Sequence, residues 1–337
     1  MSQKFTHLHV HSHYSLLDGL PKVGLLLDRV KELGMDSVAL TDHGNMYGAI
    51  EFYKGAKERG IKPILGAEMY IALDNAGQKR PGIDDTSHHL ILLVKNEQGY
   101  RNLVKLLTKA HLEGFYYKPR IDETWLTEHS SGLIALSACL SGKIPRLILA
   151  KKLQEAETAA LRYQEIFGKD NFYLELQDHP NIREQKVVNE GLIALSKKTG
   201  IPLVATADSH YLRPEDAEAQ DILMLINTGA RPGDPERLTL KSDDFSLKSA
   251  EEMERLFQDV PEAVENTQKI AKMCNLTITL GVNKLPTYPL PTGKTADEYL
   301  KELCMLGFKK RLGLPEEAMD RLDYELGVIQ KTGFAAY

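Results

Sequence analysis

The sequence predicts an α/β protein: a closed barrel of parallel strands wrapped by helices, followed by a mostly helical C-terminal extension. Three observations carry that prediction. Seven short apolar runs recur through the first two-thirds of the chain, amphipathic stretches closed by glycine lie between most of them, and the alternation stops after Ala207. Strands alternating with helices imply a parallel sheet, and near 337 residues a closed barrel is its natural form. In such barrels the working residues come from the C-terminal ends of the strands.

The strands expected in order are residues 5–10, 37–40, 63–65, 90–94, 133–137, 172–176 and 203–207. Helical periodicity covers 23–33, 47–59, 98–111, 147–167 and 184–199, and four of these stretches are followed by Gly34, Gly60, Gly168 and Gly200. Glycine is the expected stop because it tolerates the left-handed conformation after the last turn. Beyond Ala207 the sequence predicts a helix over 214–227, a Gly/Pro-rich loop over 229–237 and short strands within 238–247. Ser249-Ala250-Glu251-Glu252 is a capping box that opens a helix through Phe257, and 261–274 reads as another. A proline-rich linker over 286–291 leads to helical stretches over 296–313 and from 316 onward. The domain reading is a barrel over 1–285, then a linker and the start of a following domain over 286–337. The apolar ending at Tyr337 suggests a cut inside a larger protein.

Hydrophobic content of 42% and charged content of 26% are those of a soluble globular chain. No stretch approaches a membrane span, and the opening residues are no signal peptide. Cys139, Cys274 and Cys304 are odd in number and far apart, so no disulfide framework is implied, and a cytoplasmic setting fits. A net charge of −5 argues against a general nucleic-acid coat, while leaving room for a local DNA contact.

The chemistry concentrates at the start. His7, His9, His11 and His13 alternate with other residues, a spacing that only an extended strand turns into one face. Neutral imidazole is the commonest side-chain ligand of zinc and its neighbours. Further ligand types stand at the expected strand ends: Asp18 in the first loop, Asp42-His43, Glu68, Cys139, and the spaced pair Asp208 and His210. Each has a plainer alternative. Asp18-Gly19 is a turn signal, Asp42 suits a helix cap, Cys139 suits a small buried apolar site, and Glu68 suits an exposed loop. His88 and His89 precede their apolar run, which a parallel barrel would place at the wrong end. His111, His129 and His179 read as surface or capping residues. Imidazole, carboxylate and thiol together suit zinc, manganese or iron rather than calcium, and their density suits more than one cation. A carboxylate such as Glu68 or Asp208 is the best bridge between two cations. No hydrolase elbow, P-loop or dinucleotide fingerprint competes.

His7-Leu8-His9-Val10-His11-Ser12, Leu40-Thr41-Asp42-His43-Gly44-Asn45, Gly66-Ala67-Glu68-Met69-Tyr70 and Ala207-Asp208-Ser209-His210 resemble the PHP (polymerase and histidinol phosphatase) superfamily. Within it they resemble the N-terminal region of bacterial DNA polymerase III alpha subunits. The resemblance implies a distorted seven-stranded (β/α) barrel holding two to three divalent cations. It implies the ligand set His9, His11, Asp18, His43, Glu68, His89, Cys139, Asp208 and His210, with Glu68, Asp208 and His210 catalytic and His7 and His13 only neighbours. Ala207 departs from the Asn that relatives often carry.

The function this implies is hydrolysis of phosphodiesters by metal-activated hydroxide, as a 3′–5′ exonuclease within a replicative polymerase subunit. DNA is then the partner, with other replicase subunits reached through the parent protein and no membrane involved. Phe115-Tyr116-Tyr117-Lys118-Pro119-Arg120 offers stacking and phosphate contacts through Tyr116, Tyr117, Lys118 and Arg120. DNA synthesis is not expected of this chain, since the resemblance places the polymerase carboxylates beyond Tyr337. Two alternatives stand beside this: a metal-stapled scaffold without turnover, and a small-molecule phosphomonoesterase.

Overall fold

The computed structural model describes residues 4–282, 288–311 and 317–337. It divides into two compact units, Met1–Thr277 and Ile278–Tyr337. In the first, the elements run α1 Val23–Glu32, β1 Ser37–Leu40, α2 Ala49–Glu58, β2 Lys62–Ala72, β3 Ser87–Val94 and α3 Glu97–Leu112. They continue β4 Phe115–Tyr116, β5 Lys118–Ile121, α4 Glu123–Glu128, β6 Leu133–Leu136, α5 Lys143–Leu149, α6 Leu153–Phe167, β7 Phe172–Gln177, α7 Arg183–Thr199 and β8 Leu203–Thr206. Helices α8 Ala217–Thr228, α9 Ala250–Leu256 and α10 Pro261–Met273 complete the unit.

The sheet order β2-β3-β6-β7-β8, with β1 on the other side of β2, leaves a gap between β8 and β1. The opening segment fills it. Val10 bridges Ser209 and His7 bridges Val38, both parallel, and Ala39 N–H donates to the His7 carbonyl at 2.8 Å. Seven staves therefore close the barrel, as expected. The first is irregular rather than a strand, because the chain bends at His9. That bend breaks the alternation on which the single row of four histidines depended.

The expectation of an all-parallel sheet is corrected at β3, which runs antiparallel to both β2 and β6. A parallel return needs a crossover of a dozen or more residues, usually a helix. Residues 73–86 contain Gly77, Pro81 and Gly82 and form no helix, so the chain folds straight back along the long strand β2. Two further differences are local. The helix expected over 147–167 is two helices, broken where Lys151 takes a left-handed backbone (φ 59°). Residues 238–247 form no strand, only the bridge of Ser246 to Tyr211. The Ser249 capping box is formed as expected, its hydroxyl accepting from the Glu252 N–H.

The barrel interior is filled by one side chain or two from each stave: Leu8, Ala39, Ile64, Ile91, Leu93, Ile134, Leu136, Tyr173 and Val204, with Ile270 of α10 and Cys274 just past its end against them. Period-two alternation extends this interior face upward from Ile64 to Glu68, from Ile91 back to His89, from Tyr173 to Glu175, and from Val204 through Thr206 to Asp208. Apolar positions thus fill the lower layers and ligand types occupy the mouth.

The second unit holds α11 Ala296–Lys310, opened by a Thr295–Glu298 capping box, and α12 Glu317–Thr332. The expected linker over 286–291 and the helix ends at Gly313 and Glu316 fall wholly or partly outside the described residues.

Candidate metal centre

Nine residues converge on the mouth. His9 Nε2 lies 3.0 Å from Asp208 Oδ1 and 3.6 Å from Glu68 Oε1. His11 Nε2 lies 3.3 Å from the same Asp208 oxygen and 3.6 Å from Glu68 Oε2. His43 Nδ1 meets Glu68 Oε2 at 2.6 Å, and its other nitrogen meets Asp18 Oδ1 at 3.1 Å. His89 Nδ1 sits 2.7 Å from Glu68 Oε1, and the Cys139 thiol lies 3.8 Å from that nitrogen. The His210 ring stacks on His11 at 4.3 Å, with Nε2 3.9 Å from Asp18. Three groups of ligand atoms form around this centre: His11, His43 and His210; His9, His11 and Asp208; His43, Glu68 and His89.

Local sequence explains how these side chains arrive. Asp208 (φ 49°) and Ala138 (φ 63°), which precedes Cys139, are left-handed just past the ends of β8 and β6. Such non-glycine backbone costs about 1–3 kcal/mol and persists where the surroundings over-determine it, commonly at working sites. Asp18 is both turn and site residue. A Cβ on Gly19 would lie 2.0 Å from the Ser12 carbonyl, so only glycine fits there. Gln220 and Asn227 of α8 hold the Asp18 loop by its carbonyls. The antiparallel β3 resolves the position of His89, since its start lies at the same end as the finishes of its neighbours.

Behind the ligands stands a layer that fixes ring orientation. His9 Nδ1 is 2.7 Å from Glu175 Oε1, which also accepts from Thr206 Oγ1 and from Gln177 Nε2. His11 Nδ1 is 2.9 Å from Ser15 Oγ, whose hydroxyl donates to Asp42 at 2.7 Å. Asp42 is therefore no helix cap; it also accepts from Ser12 N–H and Oγ–H. A histidine ligand held from its far nitrogen by a carboxylate presents a fixed tautomer to a metal.

Six buried polar atoms here, His9 Nε2, His11 Nε2, His43 Nδ1, Asp18 Oδ1, Glu68 Oε2 and Asp208 Oδ1, make no well-aligned hydrogen bond, although each lies 2.6–3.3 Å from an imidazole nitrogen or carboxylate oxygen of the group. Buried polar groups are ordinarily satisfied, so six orphans aimed at one centre mark a place for cations. The electrostatics agree. Burial works against charge on His9 and His43, yet Asp208, Glu175 and Glu68 around the first, and Asp18 and Glu68 around the second, raise both pKa values well above the usual. Burial together with His43 and His210 pushes His11 down to about 3. Burial opposes ionisation of Glu68 and Asp208, but the surrounding imidazoles hold both carboxyls below their usual range. Positive charge is what the carboxylates demand, and the nine residues fit divalent cations that would replace those protons.

His7 is enclosed, its Nε2 at 2.8 Å from the Lys248 carbonyl, away from the centre. Other expectations need correction. His179 is not a surface residue: it is buried, stacks on Phe245 at 4.1 Å, and both ring nitrogens lack a partner. Arg120 offers nothing to a phosphate, because its guanidinium is buried and donates to the carbonyls of Ala76, Gln78, Asp84 and Gly114. It pins the 73–86 connection instead. Tyr117 is exposed, Tyr116 and Lys118 are half-buried, and Lys118 Nζ lies 5.4 Å over the Tyr70 ring. Sequence reasoning missed Glu175; its signal was a single acid inside the otherwise apolar run Phe172–Leu176.

A profile of the PHP domain matches residues 7–179. The chain is similar to DNA polymerase III subunit alpha of Borreliella burgdorferi, with 49% identity over 99% of this chain and 29% of the relative. The same subunit of Treponema pallidum is 46% identical over 99% of this chain and 29% of its own length. That of Thermus aquaticus is 44% identical over 91% and 26%. The chain thus spans under a third of the length of these relatives. A solved Bacteroides vulgatus protein, described as two-domain with a predicted PHP-like metal-dependent phosphoesterase, overlaps at TM-score 0.37 with 14% identity, covering 78% of this chain and 66% of that one.

Proposed function

We propose, from the premise that the chain belongs to the PHP domain family, that its barrel mouth is a metal-dependent phosphodiesterase removing nucleotides from DNA 3′ ends. It would act as one domain of a replicative polymerase alpha subunit, with DNA and the other replicase subunits as partners of the whole. Residues 1–285 form the hydrolytic barrel in this reading and 286–337 lead into a following domain. The observation that carries it is the set of orphaned ligand atoms at one centre. His9, His11, Asp18, His43, Glu68, His89, Cys139, Asp208 and His210 would hold two or three cations, and the mixed donors favour zinc, manganese or iron.

Bound divalent cations supply charge for phosphoryl oxygens and lower the pKa of water. Glu68, facing four imidazoles, and Asp208, facing His9 and His11, would supply the carboxylate ligands to those cations. Glu175 and the Ser15–Asp42 pair hold His9 and His11 in register from behind. In the net reaction water adds to the terminal phosphorus, the bond to the penultimate 3′ oxygen breaks, and that oxygen takes the proton. The products are a nucleoside 5′-monophosphate and a strand shortened by one. His210, whose Nδ1 is held 2.8 Å from the Asp208 carbonyl, would present Nε2 to a cation.

The test measures metal content and hydrolysis together, for wild type and Asp208→Asn, on 3′-tailed and 5′-tailed oligonucleotides and on phosphomonoesters. Loss of a cation together with loss of 3′-end hydrolysis supports the reading. An unchanged rate at reduced metal content, or chelation that lowers only the melting temperature, would turn the centre into a staple. Faster release of phosphate from monoesters would assign the small-molecule alternative.

A further inference from the structure

His43 has a second environment. On the side away from Glu68 it borders a cleft of about 210 Å³, walled by Tyr14, Tyr47, Tyr70, His111 and Pro119, with Lys118 at its edge. Drug-sized ligands take about 300–1,000 Å³, so this space suits one planar ring system. Its floor is rigid. Asn45 donates to the carbonyls of Tyr14 and His43 and accepts from the Tyr47 N–H. Gly44 is left-handed (φ 59°), its carbonyl 2.9 Å from His111 Nε2, and a Cβ there would meet Pro119 at 2.7 Å. A side chain at 44 would fill the cleft from below. Its rim is unusual for a protein surface, since Tyr47 is 61% and Leu16 68% exposed. Lys118, at that edge, sits over Tyr70, whose ring is 6.1 Å from that of His43.

We propose that this cleft is the subsite for the base of the 3′-terminal nucleotide, with Tyr47 as its stacking platform and Lys118 reaching the adjoining phosphate. The proposal rests on the phosphodiesterase reading. Three features select this occupant. The cleft is continuous with the centre through His43, so a ring lodged there leaves its own phosphate at the ligand atoms. Its walls carry four aromatic rings, and stacking on such rings accepts any base without reading its hydrogen-bonding edge. The charge of Lys118 complements a phosphate, whereas a protein partner would need a far larger apolar area.

The experiment compares oligonucleotides ending 3′ in a normal nucleotide with ones ending in an abasic residue, on wild type, Tyr47→Ala and Tyr47→Phe. Wild type should prefer the base-bearing end about tenfold in kcat/KM, chiefly through KM, the size of one stacked base. Tyr47→Ala should bring that ratio close to one, and Tyr47→Phe should keep it. A ratio that Tyr47→Ala leaves unaltered overturns the subsite while the exonuclease reading stands. Quenching of a 3′-terminal 2-aminopurine tests the subsite without turnover. Quenching by wild type that Tyr47→Ala abolishes sustains the subsite even where no hydrolysis occurs, and absence of quenching by wild type removes it.

Discussion

The opening segment and the β2–β3 hairpin deliver histidines to one centre from opposite directions. In the first, three imidazoles at alternate positions meet different fates. His7 faces a backbone carbonyl and is packed as a neutral core residue, while His9 and His11 face carboxylates. In the hairpin, adjacent histidines separate by strand alternation: His89 meets Glu68, and His88 lies away from the centre, with burial pushing its pKa down to about 4. Residue type brings a histidine into candidacy in both regions. What faces its nitrogens decides the chemistry.

The largest effect should come where the two regions meet. Glu68→Gln removes the charge that opposes His9, His11, His43 and His89 together, so we expect the loss of at least one cation and a fall in hydrolysis of two or more orders of magnitude, read by metal analysis and rate. A Glu68→Gln protein with full metal content and activity would show that the regions are not joined through this carboxylate. Next is Glu175→Gln, which touches the opening segment alone. It should weaken metal affinity by about 10–100-fold in a competitive chelator titration, through loss of His9 orientation. The hairpin has its own support in Arg120. Arg120→Ala leaves three buried carbonyls and a part-buried one without their donor and should cost about 3–5 kcal/mol in denaturant unfolding, leaving the salt dependence of DNA binding unaltered. A changed salt slope would restore the phosphate contact that the buried guanidinium argues against.

The smallest expected effect separates His7 from its ligand neighbours. Burial lowers the His7 pKa to about 4, against 6.5 in the unfolded chain. Between those values the unfolded chain takes up a proton that the folded chain refuses, so His7 leaves stability untouched above about pH 6.5 and erodes it as the pH falls toward 4. The limit is about 3 kcal/mol for a shift of this size. His7→Gln should flatten that part of the stability profile and keep full metal content. Loss of a cation from His7→Gln would make His7 a ligand after all.

Much of this was legible in the sequence because ligand types stand out against apolar strands. His9, His11, His43, Asp208 and His210 announce themselves by type and spacing, and the seven staves by short apolar runs. Strand direction was not legible. Nothing within residues 87–94 says which way β3 runs, and the answer lies in the helix-free connection before it. Glu175 was hidden for a different reason. Its burial makes sense only beside His9, 166 residues away. Arg120 misled because a basic residue next to tyrosines looks like a phosphate contact, whereas its partners are carbonyls scattered over the 76–114 stretch.

The closure of the barrel by residues 5–11 has a consequence for biosynthesis. Those residues leave the ribosome about 200 residues ahead of their hydrogen-bonding partner Ser209. At about 5–20 residues per second, the nascent chain waits about 10–40 s for the stave that completes the ring. His9 and His11 spend that interval as an exposed imidazole pair on an unfinished sheet. In the proposed reading, any cation that needs Asp208 and His210 would bind only after both have emerged, late in the translation of this domain.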